Sequence, residues 1–175
     1  MYNLLLVDDE PLIKVAFQSA VEWGKNGFLL AATASNGQEA LHIVETQHID
    51  AVITDLKMPG MDGLALIHKL KKRSFTGPIL VLSNYSDFDS VRTALTDGAY
   101  DYFLKINMNG ESIGEHLEKM ADLLRVQQQR QTEEDHRFFA IEAQKKENAL
   151  IHCAQWITST AGSSPASNPF SMLPE

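Results

Sequence analysis

Five residues carry side chains that together suit phosphoryl chemistry. Asp8 and Asp9 follow the apolar run LLLV, and Asp55 follows AVIT. Ser83 closes ILVLS, and Lys105 closes DYFLK. Each therefore falls where a short apolar segment stops. Three carboxylates in one pocket repel one another unless a cation offsets them. Oxygen ligands, few in number and with room for water, suit Mg2+ better than zinc or copper. A hydroxyl and an ammonium converging on such a cluster would complete a phosphoryl-transfer site. The metal and the lysine would neutralise charge on the equatorial oxygens, and the hydroxyl would donate a hydrogen bond to one of them. Taken singly, the acids read as helix-terminal charges, Ser83 as a turn residue and Lys105 as a solvated surface charge. Their joint recurrence at strand ends favours the site reading, because open α/β sheets collect ligands outside the carboxyl ends of their strands.

The elements that must position these residues are legible as alternation. Short apolar runs at Asn3–Val7, Leu29–Thr33, Ala51–Thr54, Ile79–Leu82 and Asp101–Leu104 predict five buried strands. Between them, helices are predicted near Pro11–Glu22, Gly37–Thr46, Gly63–Lys72 and Ser86–Asp97, with a fifth starting near Glu111. Pro11 suits a first helical turn, and Asn36 can cap the helix that carries Glu39. Ser86 with Asp89 three residues on forms a weak capping-box pattern. Alternation with short links implies a doubly wound, five-stranded parallel sheet covered by helices on both faces.

Residues 1–124 hold all of these elements. From about Gln127 to Glu147 the chain is highly polar and free of glycine and proline, which predicts a long helix that continues or follows the fifth. Residues 125–158 are accordingly assigned to a polar helical extension. Residues 159–175, rich in Ser, Pro and Ala, are assigned to a disordered tail. Leu117, Met120 and Leu124 recur at heptad-like spacing, and Phe138 and Ile141 resume the phase. Gln127, Gln131 and Glu134 occupy the seam between them, so the segment reads either as a solvated linker or as a weak dimerising coiled coil.

Bulk properties exclude several classes. The formal charge of −8 makes these residues a poor nucleic-acid binder. Cys153 is the single cysteine, so no disulfide can form within the chain, which suits a reducing compartment. The start MYNLLLVDDE is too short and too acidic for a signal peptide or a membrane span. A cytoplasmic location without membrane contact is the expectation.

Four segments, LLLVDDEP, VITDLKMPGMDG, ILVLSNYSDFD and GAYDYFLK, resemble in combination the receiver domain of bacterial two-component response regulators, which has the chemotaxis-regulator fold. The resemblance spans about Met1 to Leu124. It implies a flavodoxin-like strand order of 2-1-3-4-5, with the site between the first and third strands. It implies that Asp55 is the phosphoacceptor, and that Asp9 ligates Mg2+ directly. Asp8 would act mostly through water, and the Lys57 backbone carbonyl would complete the protein ligands. It further implies that Ser83 is the switch hydroxyl, Tyr102 the switch aromatic and Lys105 a phosphoryl contact. One position departs from the family pattern: Ile106 stands where a proline, often cis, usually follows the lysine, so a trans bond is expected here and the placement of Lys105 is open.

The stretch SNYSDFDSVRTALTDGAYDYFLK is also similar to YesN-like regulators, which end in an arabinose-regulator-type (AraC-type) helix-turn-helix. No basic recognition helix is visible in this sequence, so DNA contact is expected only through an output domain not present in these residues. The expected role is a phosphorylation-controlled transcriptional switch, fed by a sensor histidine kinase and capable of phosphorylation-dependent homodimerisation. It is not expected to be an enzyme beyond its own phosphoryl transfer and hydrolysis. The alternatives are a stand-alone receiver, a protein-binding receiver that is never phosphorylated, and a haloacid-dehalogenase-type hydrolase. Against the last, Lys57 stands where such enzymes usually carry a second aspartate. Lys57 and Tyr85, two positions beyond Asp55 and Ser83, are expected to flank the path of an attacking water and to slow hydrolysis.

Overall fold

A computed structural model describes residues 1–84, 87–107 and 109–161, with the side chains of Ala20 and residues 153–161 left aside. The chain divides into two compact units, Met1–Gln128 and Gln129–Glu175. The first unit alternates strand and helix: β1 (Tyr2–Val7), α1 (Pro11–Ala20), β2 (Phe28–Ala34), α2 (Gly37–Thr46), β3 (Ala51–Asp55), α3 (Gly63–Lys72), β4 (Ile79–Ser83), α4 (Phe88–Thr96) and β5 (Asp101–Leu104). A short 3-10 turn at Lys105–Asn107 leads into α5, Gly110–Ala161.

The five strands are all parallel, in the order β2-β1-β3-β4-β5. This is the flavodoxin-like order, and it sets β1 beside β3 at the centre. Side chains alternate across a strand, so β1 feeds two cores. Leu5 and Val7 join Leu66, Ile67 and Leu70 of α3 and Ala40 and Leu41 of α2 on one face. Leu4 and Leu6 join Phe17 of α1 and Ile113, Leu117 and Met120 of α5 on the other. Burial on both faces explains why these strands read as continuous apolar runs rather than as alternation.

Two helix boundaries move by two residues, and several other element ends by one. The first helix stops at Ala20, not Glu22, because Val21 turns extended and buries its side chain in the α1–α5 core. The fourth helix begins at Phe88, with Asp87 at its N-cap position. Ser86, expected to begin the helix and to form the capping box, lies outside the described residues. Asn36 does cap α2, accepting from the N–H groups of Gln38 and Glu39 at 3.0 and 2.9 Å.

Helix α5 runs without a break through residues 159–161, which the sequence reading gave to the tail; Gly162 is the first glycine after this point. The rest of that tail lies outside the described residues. Leu117, Met120 and Leu124 are buried in the core of the first unit rather than free for a seam, whereas Phe138 and Ile141 are exposed in the second.

Candidate functional site

The parallel sheet brings the carboxyl ends of β1, β3, β4 and β5 to one edge, and the five sequence-predicted residues lie along it; the side chains of Asp8, Asp9, Asp55 and Lys105 cluster there. Asp55 is the last residue of β3 and is buried. Its Oδ1 accepts the Leu56 N–H at 2.6 Å and, more distantly, the Lys57 N–H at 3.4 Å. The chain then turns through Pro59 and Gly60, whose φ of 79° suits glycine at the third position of such a turn. Asp62 starts α3 by accepting from the Ala65 N–H at 2.8 Å.

Asp8 follows β1 and is fully buried. Its backbone N–H continues the ladder to the Ala34 carbonyl, and its Oδ1 accepts the Glu10 N–H at 2.8 Å. Burial pushes the Asp8 carboxyl above its usual range, and the Asp55 charge adds to this. Hydrogen bonds from Lys105 and the Glu10 N–H oppose the shift. Asp9 is partly buried beside it. Asp8, Asp9 and Asp55 can each offer an oxygen within 4.8 Å of the others.

Lys105 supplies the local positive charge. Its ammonium lies 2.8 Å from Asp55 Oδ2, 2.9 Å from Asp8 Oδ2 and 3.1 Å from Glu10 Oε1. The peptide bond to Ile106 is trans, and the ammonium reaches both buried acids regardless. Burial alone would favour the neutral amine, but the hydrogen bonds and charges of Asp55 and Asp8 outweigh it and hold Lys105 protonated well above its ordinary value. One lysine against Asp8, Asp9, Glu10 and Asp55 still leaves the cluster negative, which is the electrostatic condition for a divalent cation.

Ser83, the last residue of β4, is fully buried, and its Oγ makes no hydrogen bond among the described residues. A buried hydroxyl without a partner costs free energy that an arriving acceptor would recover. Ser83 also lines a largely apolar cleft of about 750 Å³ with Phe88, Val91, Leu95, Tyr102 and Leu104. Tyr102 lines this cleft and is 41% exposed.

Two residues of the site went unremarked in the sequence. Glu10 adds a fourth acid; the signal was the unbroken run DDE. Asp87 is buried, forms an ion pair with the Lys57 ammonium and accepts the Asn84 N–H at 2.9 Å. No spacing pattern links positions 57 and 87; only the adjacency of β3 and β4 does. The Lys57 side chain thus reaches across to the β4–α4 loop rather than lying on Asp55. Tyr85 lies outside the described residues.

Residues 4–118 match the response regulator receiver domain. The chain belongs to this family. As a receiver domain it is 38% identical over 125 residues to the uncharacterized transcriptional regulatory protein YesN of Bacillus subtilis, an alignment covering 71% of this chain and 34% of that protein. It is 33% identical over 119 residues to the nitrate/nitrite response regulator NarL of Escherichia coli, covering 68% and 54%. Among solved structures it resembles the receiver domain of AraT from Geobacillus stearothermophilus, with a TM-score of 0.68 and 27% identity over 73% of this chain and 98% of that one. The chain thus spans between a third and about half of these curated relatives. No helix among the described residues is long and apolar enough to cross a membrane.

Proposed function

We propose that this receiver domain is a cytoplasmic, phosphorylation-controlled switch that accepts a phosphoryl group from a sensor histidine kinase on Asp55. The observation that carries the reading is the convergence of Asp8, Asp9, Asp55, Ser83 and Lys105 from four strand ends at one buried edge. In the transfer, an Asp55 carboxylate oxygen forms a bond to phosphorus as the bond between phosphorus and the donor imidazole nitrogen breaks. Little covalent chemistry is asked of the protein, so positioning and charge dominate. The Leu56 N–H fixes the orientation of the carboxylate. Lys105 would follow the charge onto the phosphoryl oxygens, and the Ser83 hydroxyl would donate to one of them.

Asp8, Asp9, Asp55 and the Lys57 carbonyl are the residues that would hold Mg2+, which when bound supplies positive charge against the phosphoryl oxygens. Three converging carboxylates with a single lysine among them fit such an ion. Engagement of Ser83 would open the way for the Tyr102 ring to turn into the cleft it borders, reshaping the α4–β5 surface. YesN is named as a transcriptional regulatory protein and NarL as a nitrate/nitrite response regulator, and both are longer than this chain. Control of transcription through an output domain beyond residues 1–124, joined by the polar helix, is the reading this supports, and phosphorylation-dependent pairing of two copies belongs to the same proposal. Lys57 and Tyr85 are the residues that would tune hydrolysis of the acyl phosphate.

The test is labelling by acetyl phosphate with and without Mg2+. The parent should label only with the ion. Asp55→Asn, which keeps the shape and removes the nucleophile, should not label while remaining folded. Acid-stable, hydroxylamine-sensitive label on Asp55→Asn would overturn the assignment.

A further inference from the structure

The Lys57–Asp87 ion pair joins the segment after β3 to the residue before α4, and its two halves are unequal. The Asp87 side chain is 1% exposed and that of Lys57 is 63% exposed. A buried carboxylate is costly without a countercharge. The anion is held in place, since its other oxygen accepts the Asn84 N–H at 2.9 Å. The cation has come to it on a solvated stem. Asp87 sits at the N-cap position of α4, yet its side chain makes no cap hydrogen bond there. Its carboxylate is turned instead toward the β4–α4 loop and Lys57. The backbone of Lys57 stands at Asp55, its N–H 3.4 Å from Oδ1. One short tether therefore lets the ammonium choose between two anions.

We propose that Asp87 is a positioning residue that draws the Lys57 ammonium away from Asp55 in the unphosphorylated protein, and that a phosphoryl group on Asp55 competes with Asp87 for this cation. The inference rests on the reading of Asp55 as phosphoacceptor. A phosphoryl group carries close to two negative charges and offers three acceptor oxygens, against one charge on Asp87. When Lys57 transfers, Asp87 is left buried without that countercharge. The segment it organises, with Asn84 next to Ser83, loses an ionic anchor at the moment Ser83 gains a phosphoryl partner. The exchange links the charge on Asp55 to the β4–α4 loop by a route separate from the Ser83 hydroxyl. It also requires Lys57 to leave Asp87 before it can shield the phosphoryl group from water.

The competition is measurable as a double-mutant cycle on beryllofluoride affinity in Mg2+, followed by fluorine NMR on the full chain. Asp87→Asn keeps an oxygen for the Asn84 N–H and removes the competing charge. It should tighten beryllofluoride by about three- to tenfold and lengthen the acyl-phosphate lifetime, and both gains should vanish in a Lys57→Ala background. An unchanged or weaker affinity in Asp87→Asn, or an equal gain without Lys57, overturns the inference. If the parent itself fails to bind beryllofluoride, the reading of Asp55 has failed and the inference falls with it. Should Asp87→Asn not fold, the side-chain nitrogen resonance of Lys57 in the parent decides. It should move on adding beryllofluoride to the Mg2+-loaded protein, and a stationary resonance overturns the competition.

Discussion

A β-carbon placed on Gly63 would lie 2.1 Å from the carbonyl oxygen of Asp55. The start of α3 is thus pressed against the backbone of the proposed phosphoacceptor, and the Gly63 N–H donates to the Leu56 carbonyl at 3.0 Å to hold it there. The glycine is required for close approach, not for an unusual φ.

Gly63→Ala should therefore destabilise the first unit by roughly 2–3 kcal/mol, the usual cost of forcing a methyl into a packed site. Because the clash falls on backbone at Asp55 and Leu56, the folded fraction should also label more slowly. Urea melts and acetyl-phosphate labelling, measured together, check both. A variant as stable as the parent would mean that α3 can shift away without cost.

Asp8→Asn should stabilise the protein when Mg2+ is chelated. Burial raises the Asp8 carboxyl above its ordinary 3.8, so the ionised form weakens the fold. The penalty is absent below 3.8, grows up to the raised folded value and is complete above it. At neutral pH the variant should melt at a higher temperature than the parent, read from thermal melts with the ion chelated. The advantage should fade on acidification and shrink when Mg2+ stabilises the parent. An advantage that grows as the pH falls contradicts the burial argument.

Lys105→Met should split two properties that usually move together. The ammonium now occupies Asp55 Oδ2 and Asp8 Oδ2 at 2.8 and 2.9 Å, so its loss should tighten Mg2+ binding. The same loss removes charge from the phosphoryl oxygens and should slow labelling by roughly a hundredfold, the scale seen when one preorganised donor is deleted. Calorimetric titration with Mg2+ and labelling kinetics give the two values. Weaker Mg2+ binding would show that Lys105 orders the acids more than it competes for them.

For the helical extension, Leu117, Met120 and Leu124 are committed to the receiver core, which leaves Gln127, Gln131 and Glu134 to begin any seam. Sedimentation of residues 1–175 should show a monomer without the phosphoryl mimic. A tight dimer that survives deletion after Leu124 would place the interface on the receiver itself.

The sequence was most informative where one rule governed a segment. All five strands, and the edge where Asp8, Asp55, Ser83 and Lys105 meet, follow from apolar runs that end in polar residues. The same rule could not show that Ile106 leaves Lys105 in reach of Asp55, because a trans bond fixes the backbone but not where a four-carbon stem lands. Nor could it show Asp87. With the helix expected to start at Ser86, Asp87 reads as one more first-turn charge, and only the folded neighbourhood reveals that its carboxylate pairs with Lys57. The heptad spacing at Leu117, Met120 and Leu124 was real, but periodicity does not say whether the buried face meets a sheet or a second helix.

That diversion of Asp87 has a consequence for how the molecule breathes. Asn36 and Asp62 each tie down the first turn of their helices with their own side chains, whereas α4 begins without such a tie and with Phe88 77% exposed. In native-state hydrogen exchange, opening free energy follows such local anchoring. The first turn of α4 should therefore exchange faster than those of α2 and α3, and Phe88 there lines the cleft shared by Ser83 and Tyr102. Thermal motion would then already sample the segment that a signal at Asp55 has to rearrange.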